Sequence, residues 1–237
     1  MFKKVFFMLL ISCFSVVNAF ASDALQPAGA GQRPPDEFMT RGNTSRGMVQ
    51  YELTLGAGAL QFMKDPVLKS FFKNPVLTYR LDFAAIFNHI AGVEGSLGFV
   101  YGKNNMWDSS HTASEQYDML IFPARIDGVA QLRFYEDQPV YPYAGAGFAA
   151  SGFDQVRSYD SQTVSGFKFG WNWIAGVHFL LDPLDESHVG ILRTEYGIDH
   201  VFIDIRVGQD YINNFNVHAS GFNLSDQYIT GALGFEF

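Results

Sequence analysis

The sequence predicts an all-β fold, an eight-stranded antiparallel up-and-down β-barrel that crosses a membrane. Apolar residues alternate with polar or small ones through most of the chain, as they do on strands with two different faces. Aromatic residues make up 16% of the chain and glycine occurs 23 times. After the N-terminal segment there is no run of 18 apolar residues, so a spanning helix is excluded on length and any crossing must use strands.

Residues 1–21 have the pattern of a cleaved secretory signal peptide. Lys3 and Lys4 precede an apolar run, and Ala19-Phe20-Ala21 forms a small-x-small cleavage site. Residues 10–13 also resemble a lipoprotein cleavage motif, but apolar residues continue after Cys13, which favours the ordinary signal. Because Cys13 is the only cysteine, the mature chain has no disulfide and must draw its stability from burial or from a membrane.

The mature chain is acidic. Without the signal peptide it carries 14 Lys and Arg against 24 Asp and Glu, a net charge of −10, which gives no electrostatic reason to bind nucleic acid. Residues 22–47 are rich in Pro and Gly and predict a flexible periplasmic leader. Residues 48–237 are predicted to form the barrel.

The first four predicted strands cover about 48–62, 75–87, 90–101 and 117–134. Each has one apolar parity and one polar parity. The apolar residues include, strand by strand, Tyr51, Leu53 and Leu55; Leu77, Tyr79, Leu81 and Phe83; Val93, Leu97, Phe99 and Tyr101; Leu120, Phe122, Ala124, Ile126, Leu132 and Phe134.

The last four predicted strands cover about 139–153, 166–181, 188–203 and 223–237. The fifth is rich in Gly and Ala, so its two faces are poorly distinguished. The other three have clear apolar faces: Phe167, Phe169, Trp171, Trp173, Val177 and Phe179; Leu192, Thr194, Tyr196 and Ile198; Ile229, Leu233, Phe235 and Phe237. Short connections are predicted near 88–89, 135–138 and 182–187, and longer polar loops at 63–74, 102–116, 154–165 and 204–222, a pattern typical of transmembrane barrels.

The placement of charge indicates that the apolar face points outward. A soluble barrel of the lipocalin type would instead have to hide Phe167, Phe169, Trp171 and Trp173 inside eight strands, which leave little room. The polar parity carries both signs of charge, which suits a mutually neutralising network in a narrow lumen. The predicted lumen charges are Glu52, Arg80, Asp82, Glu94, Arg125, Asp127, Arg133, Lys168, Arg193, Glu195 and Asp199.

Aromatic rings cluster toward the predicted strand ends, as in the girdles at the two interfaces of a membrane. These rings belong to Tyr51, Phe62, Tyr79, Phe87, Phe99, Tyr101, Phe122 and Phe134.

These features resemble the small bacterial outer-membrane barrels of the OmpA, OmpX and OmpW type. The resemblance lies in the signal peptide, the eight runs, Tyr143-x-Gly145-x-Gly147 and the ending Leu233-x-Phe235-x-Phe237. It implies a location in the outer membrane, in contact with its lipids and lipopolysaccharide. It also implies that Leu233, Phe235 and Phe237 are a recognition signal for the barrel-assembly machinery.

The sequence offers one weak catalytic candidate. His218 and Ser220 loosely resemble the His-x-Ser arrangement of lipid A deacylase barrels, but Gly221-Phe222 departs from that pattern and no acid is obviously placed. The favoured interpretation is that they are polar loop residues and that the chain is not an enzyme. The six histidines lack metal-ligand spacing, so no metal or other cofactor is expected.

Three functions remain open from sequence. The first is a structural or interaction barrel with a charged, plugged lumen and surface-exposed loops, whose surface partner the sequence does not name. The second is a narrow passive pore for small or apolar solutes. The third, which the sequence favours least, is a lipid A-modifying hydrolase.

Overall fold

The computed structural model describes residues 49–72, 75–107, 114–135, 138–157, 163–182, 191–214 and 222–237. The signal peptide and leader predicted at 1–47 lie outside these ranges. The strands are β1 (Val49–Phe62), β2 (Val76–Phe87), β3 (Ala91–Trp107), β4 (Ser114–Gln131), β5 (Val140–Arg157), β6 (Thr163–Leu180), β7 (His200–Ile212) and β8 (Asp226–Glu236). A short helix, α1 (Pro66–Phe72), lies between β1 and β2, and one π-helical turn (Leu192–Tyr196) precedes β7.

The eight strands form a closed barrel in which each pairs with its sequence neighbours and β8 pairs with β1. All eight pairings are antiparallel, so the predicted fold class is confirmed. The β1–β8 ladder runs from Glu52 opposite Glu236 to Phe62 opposite Asp226. Two backbone hydrogen bonds between Tyr51 and Phe237, of 3.3 and 2.9 Å, complete it, so no strand edge is left unpaired along this seam.

The apolar parity faces outward, as predicted. Trp171 and Trp173 on β6 are 47% and 37% exposed, whereas Arg80 and Arg125 are 5% and 6% exposed inside the barrel. Apolar side chains on the outside and buried charges within are the polarity of a barrel that meets hydrocarbon rather than water. In the part of the chain that the structure describes, no helix has the length and apolarity needed to cross a membrane.

We call the end of the barrel where β1 begins and β8 finishes the terminal end, and the opposite end the loop end. At the terminal end, Phe87 to Ile90 form a tight turn closed by a 3.1 Å bond from Ile90 N–H to the Phe87 carbonyl. Asn88 and His89 have positive φ angles of 51° and 61°, as the central pair of a type I′ hairpin requires.

The predicted position of the seventh strand is wrong. Residues 192–196 form a π-helical turn that ends at Gly197, whose φ is 70°, and the strand begins only at His200. The region 204–212, predicted as loop, is therefore strand, and the connection after β6 spans 181–199 rather than a short turn. The sequence misled because two alternating runs follow each other, and residues 200–212 alternate as well as residues 188–203 do.

Strands β3 to β6 extend further at the loop end than predicted. Lys103 on β3 lies opposite Asp118 on β4, and their charged groups are 3.5 Å apart. The β3–β4 backbone pairing continues through such polar outward residues, beyond the apolar band. The change from apolar to polar residues on the outer face therefore marks the end of the apolar band and not the end of the strand.

Candidate functional site

The lumen is the candidate site, and at the terminal end polar side chains fill it. Glu236 accepts hydrogen bonds of 2.7 Å from both Arg133 Nη1 and Gln50 Nε2. Gln131 Nε2 donates to Glu52 at 3.0 Å. These residues come from β1, β8, β4 and the segment after β4, so their contacts cross the barrel.

A histidine closes the same end. The side chain of His200, at the start of β7, is fully buried, with Nδ1 bonded to Asp182 and Nε2 4.0 Å from the carboxylate of Glu236. Asp182 Oδ1 also accepts a 3.1 Å bond from the Val201 backbone. These contacts fix the start of β7 against the connection that precedes it.

The middle of the lumen is centred on Arg206. This guanidinium makes a two-pronged pair with Glu94, at 2.5 and 2.8 Å, and donates from Nε to the Tyr143 hydroxyl at 2.6 Å. It also lies 3.6 Å from Asp82 and 3.6 Å from Asp204. Bidentate arginine–carboxylate pairs are the strongest and most directional ion pairs in proteins.

A second arginine shares these acids. Arg80 bonds to both Asp82 and Asp204. Asp204 also accepts a 2.7 Å bond from Tyr143 and lies 3.4 Å from His178 Nε2. We call the five charged residues of this region the central cluster: Arg80, Asp82, Glu94, Asp204 and Arg206.

Tyr143 reaches this cluster because β6 has no side chain opposite it. Gly176 is the cross-strand partner of Tyr143, and a Cβ placed on Gly176 would lie 2.6 Å from the tyrosine ring. Any larger residue there would collide with the ring, so the glycine makes room for the hydroxyl that joins Asp204 to Arg206.

Toward the loop end lies another ion pair. Arg125 binds Asp210 through distances of 2.8 to 3.0 Å, and its guanidinium lies 4.4 Å from the centroid of the Tyr228 ring. Asp226 is directly opposite Asp210 across β7 and β8 and is 4% exposed. On the adjoining wall Asn172 Nδ2 donates to Asp127 at 2.7 Å.

The loop end of the lumen is apolar and contains α1. Leu68, Phe71 and Phe72 of the helix are buried, and the Phe72 ring centroid is 5.0 Å from those of Phe71 and Phe62. We call the cluster around α1 the apolar plug; its members also include Leu60, Val100, Met119, Ile121, Phe153, Ile174, Ile212 and Leu224.

Hydrogen bonds hold α1 in place at both of its ends. The Asp65 carboxylate accepts from the backbone N–H groups of Val67 and Leu68, at 2.9 and 3.1 Å, which is an N-cap. Its second oxygen accepts from Asn223 at 2.9 Å and so ties α1 to the segment before β8. Asn104 on β3 donates to the Phe71 carbonyl at 2.6 Å.

Eight of the eleven predicted lumen charges lie inside the barrel: Glu52, Arg80, Asp82, Glu94, Arg125, Asp127, Arg133 and Lys168, each between 1% and 7% exposed. Arg193, Glu195 and Asp199 do not. Arg193 and Glu195 belong to the π-helical turn and are exposed, and Asp199 pairs with Arg193 at 3.6 Å at the terminal end. The cause is the misplaced seventh strand.

The same error concealed the most connected residues of the site. Asp204, Arg206 and Asp210 are buried on β7, in the region predicted as loop. Their even-numbered positions alternate with Ile203, Ile205 and Val207, and this periodicity was the signal that could have found them. Phe62, predicted as a girdle residue, is 1% exposed and lies inside the plug.

The remaining predicted residues are on the surface or outside the described ranges. Leu233, Phe235 and Phe237 lie on the outward parity of the terminal strand, and Leu233 and Phe237 are 42% and 43% exposed. His218 and Ser220 fall within 215–221, outside the described residues. Among the residues that are described, no three His, Cys, Asp or Glu side chains come together as metal ligands would.

The sequence that forms this closed barrel, with its apolar outside and polar lumen, matches a known family. The profile of the outer membrane protein beta-barrel domain matches residues 43–235. The chain belongs to this family. It is therefore an outer-membrane protein of the Gram-negative cell envelope, as the resemblance to small barrels implied. No curated protein matches the sequence significantly.

The chain is also similar to solved structures of other small barrels. Ail of Yersinia pestis, in complex with the heparin analogue sucrose octasulfate, is 16% identical; the match covers 81% of this chain and 100% of Ail, with a TM-score of 0.43. OprG of Pseudomonas aeruginosa is 12% identical over 80% of this chain and 95% of its own, with a TM-score of 0.48. The outer-membrane enzyme PagL is 13% identical over 78% and 98%, with a TM-score of 0.37.

Proposed function

We propose that this outer-membrane barrel is a structural or interaction protein with a closed lumen, and that it is neither an open pore nor an enzyme. The observation that supports this most directly is that two successive groups of side chains fill the lumen along its length. The apolar plug occupies the loop end, and the central cluster lies behind it. An ion moving through the barrel would have to displace packed aromatic rings and then break buried ion pairs, each of which is costly.

Partners are expected at the membrane and at the loop end. In outer-membrane barrels most of the longer segments lie outside the cell. Here β3 to β6 extend past the apolar band at the loop end, although one long connection, 181–199, lies at the terminal end. We therefore assign the loop end to the cell surface and the terminal end to the periplasm. The outward band contacts outer-membrane lipids and lipopolysaccharide, and Leu233, Phe235 and Phe237 present the signal to the barrel-assembly machinery.

Conductance across planar lipid bilayers tests the closed lumen. The purified full chain is expected to insert without producing stepwise currents. A variant with Leu68→Ser and Phe72→Ser, which loosens the apolar plug, is expected to stay silent as well, because the central cluster is unchanged. A shift in mobility between unboiled and boiled samples on a gel would verify that each protein is folded. Regular current steps from the folded wild-type barrel would refute the proposal.

A further inference from the structure

A notch interrupts the outer, lipid-facing wall of the barrel near the loop end. Its volume is about 410 Å³, and strands β6, β7, β8 and β1 contribute to it. The small residues Ala59 and Gly208 lie within it, the indole of Trp173 forms one side, and Pro75 before β2 also lines it. A smooth lipid-facing surface has no need of such a recess.

Most of the notch lining is apolar, but it carries three glutamine side chains, whereas the rest of the outward band has apolar side chains. Gln209, Gln227 and Gln61 occupy directly paired positions on β7, β8 and β1, and Trp173 on β6 pairs with Gln209. All three glutamines have outward parity and all three line the notch. Toward the terminal end the outward parity of β8 continues as Ile229, Gly231, Leu233 and Phe235, so the glutamines stand at the loop-end boundary of the hydrocarbon.

The glutamine amides retain capacity for a ligand. Gln227 Nε2 donates to Gln61 at 3.0 Å, and Gln209 Nε2 donates to the Met63 sulfur at 3.1 Å. Each amide has two N–H donors and a carbonyl acceptor, so these bonds use only part of what the row offers. A row of amides beside an aromatic ring provides donors, acceptors and a flat apolar surface, which together suit a sugar.

A cation lies beyond the lining of the notch, on its loop-end side. Lys64 Nζ is 5.6 Å from the centroid of the Tyr211 ring, and Tyr211 follows Gln209 by two residues on the same face of β7. Tyr211 stacks on Trp171 with centroids 4.1 Å apart, so a pair of aromatic rings holds the surface beside the notch on this side. A lysine ammonium is a point charge that binds phosphate.

We infer that this notch binds one phosphorylated glycolipid of the outer leaflet. The sugar would bond to the amides of Gln61, Gln209 and Gln227 and lie against Trp173, and a phosphate would face Lys64. The position favours this occupant, because the notch lies on the outward, lipid-facing side near the loop end, which the proposed function, on which this inference rests, assigns to the cell surface. A phosphatidylethanolamine headgroup offers no sugar hydroxyls to the amide row.

Native mass spectrometry of the full-length barrel in detergent tests the site, with purified diphosphoryl lipid A, dephosphorylated lipid A and phosphatidylethanolamine as probes. The wild type is expected to retain one diphosphoryl lipid A. The triple variant Gln61→Leu, Gln209→Leu and Gln227→Leu should bind it at least about tenfold more weakly, since several hydrogen bonds are lost. Leucine is tolerated at lipid-facing positions, so this variant should fold.

Two further variants complete the test. Gln116→Leu removes an exposed amide from the outer face of β4, on the opposite side of the barrel, and should leave binding unchanged. Lys64 follows the end of β1, so Lys64→Gln should leave the barrel folded. It should remove the preference for diphosphoryl over dephosphorylated lipid A. Undiminished lipid A binding by the triple variant, or equal retention of phosphatidylethanolamine by the wild type, would overturn the inference. An unchanged preference in Lys64→Gln would overturn the assignment of the phosphate.

Discussion

Replacing Arg206 by glutamine removes the cation that the central cluster depends on most. Arg206 contacts Glu94 at 2.5 and 2.8 Å and lies 3.6 Å from both Asp82 and Asp204. The cluster contains two arginines and three carboxylates, so the substitution leaves Arg80 alone against three acids. Breaking a buried ion pair by removing one partner costs about 3–5 kcal/mol. We expect the free energy of unfolding to fall by about that amount.

Replacing the partner carboxylate, Glu94, should lower the free energy of unfolding by less. Combining the two substitutions should restore part of the stability that Arg206→Gln loses. Glu94→Gln leaves two arginines against two carboxylates, and Arg206 keeps Tyr143, Asp82 and Asp204 as neighbours. Its cost should therefore be close to that of one weakened hydrogen bond to a charged group, about 1.5–3 kcal/mol. The double variant removes one charge of each sign and should be more stable than Arg206→Gln alone.

Urea unfolding of the barrel in lipid vesicles, followed by tryptophan fluorescence and by mobility on unboiled gels, measures these differences. Lys103 and Asp118 provide the matched control: they pair at 3.5 Å, but their side chains are 47% and 34% exposed. The same cycle of substitutions there should give a coupling energy of no more than about 1 kcal/mol. If the costs of Arg206→Gln and Glu94→Gln simply add, the two side chains are not coupled and the central cluster does not act as a unit.

Three other changes probe the plug, the terminal strand and the catalytic candidate. Phe72→Ala should lower the free energy of unfolding by about 3 kcal/mol by leaving a cavity in the apolar plug, whereas Val67→Ala, on the exposed side of α1, should change it little; urea unfolding compares the two. Phe237→Ala should slow assembly in cells, measured as the heat-modifiable fraction after a pulse of synthesis, and normal assembly would contradict the signal proposed there. His218→Ala should leave the mass spectrum of lipid A unchanged. A changed spectrum would support a lipid A-modifying hydrolase instead.

Much of the lumen could be predicted because a strand places alternate residues on opposite faces. Glu52, Arg80 and Arg125 follow from that alternation once the lipid-facing side is identified. The alternation does not say where a strand begins when two such runs are adjacent. This is why the sequence predicts Arg193 and Glu195 inside the barrel, although both are exposed. Gly197, with its positive φ, separates the two runs, but a glycine is equally compatible with a strand bulge.

The apolar plug could not be predicted for a different reason. Parity assigns a residue to the lumen or to the lipid, but it does not reveal what fills the lumen. Phe62 has lumen parity, yet an aromatic residue near a strand end also fits a membrane girdle. Its position became clear only from α1, which lies within 63–74, the segment predicted as a polar loop, and which buries Leu68 and Phe72 next to Phe62.

The central cluster also bears on how the barrel reaches one register. Its pairs join strands that are not neighbours: Arg80 on β2 meets Asp204 on β7, and Arg206 on β7 meets Glu94 on β3. These contacts form only when the sheet has curled shut. A slip of one residue in any strand would turn its lumen charges toward lipid, where a charge near the bilayer midplane costs about 2–4 kcal/mol.

The value of the buried charges therefore lies in selecting the closed register more than in adding stability. A well-packed apolar lumen could be as stable as this one, because ion pairs regain little beyond the cost of their desolvation. An apolar lumen would, however, carry apolar residues on both faces of every strand, and a slipped register would then meet no penalty from the membrane. The chain has no cysteine after Cys13 that could lock a register covalently, so the cross-lumen pairs make the correct pairing the one that leaves no charge in the lipid.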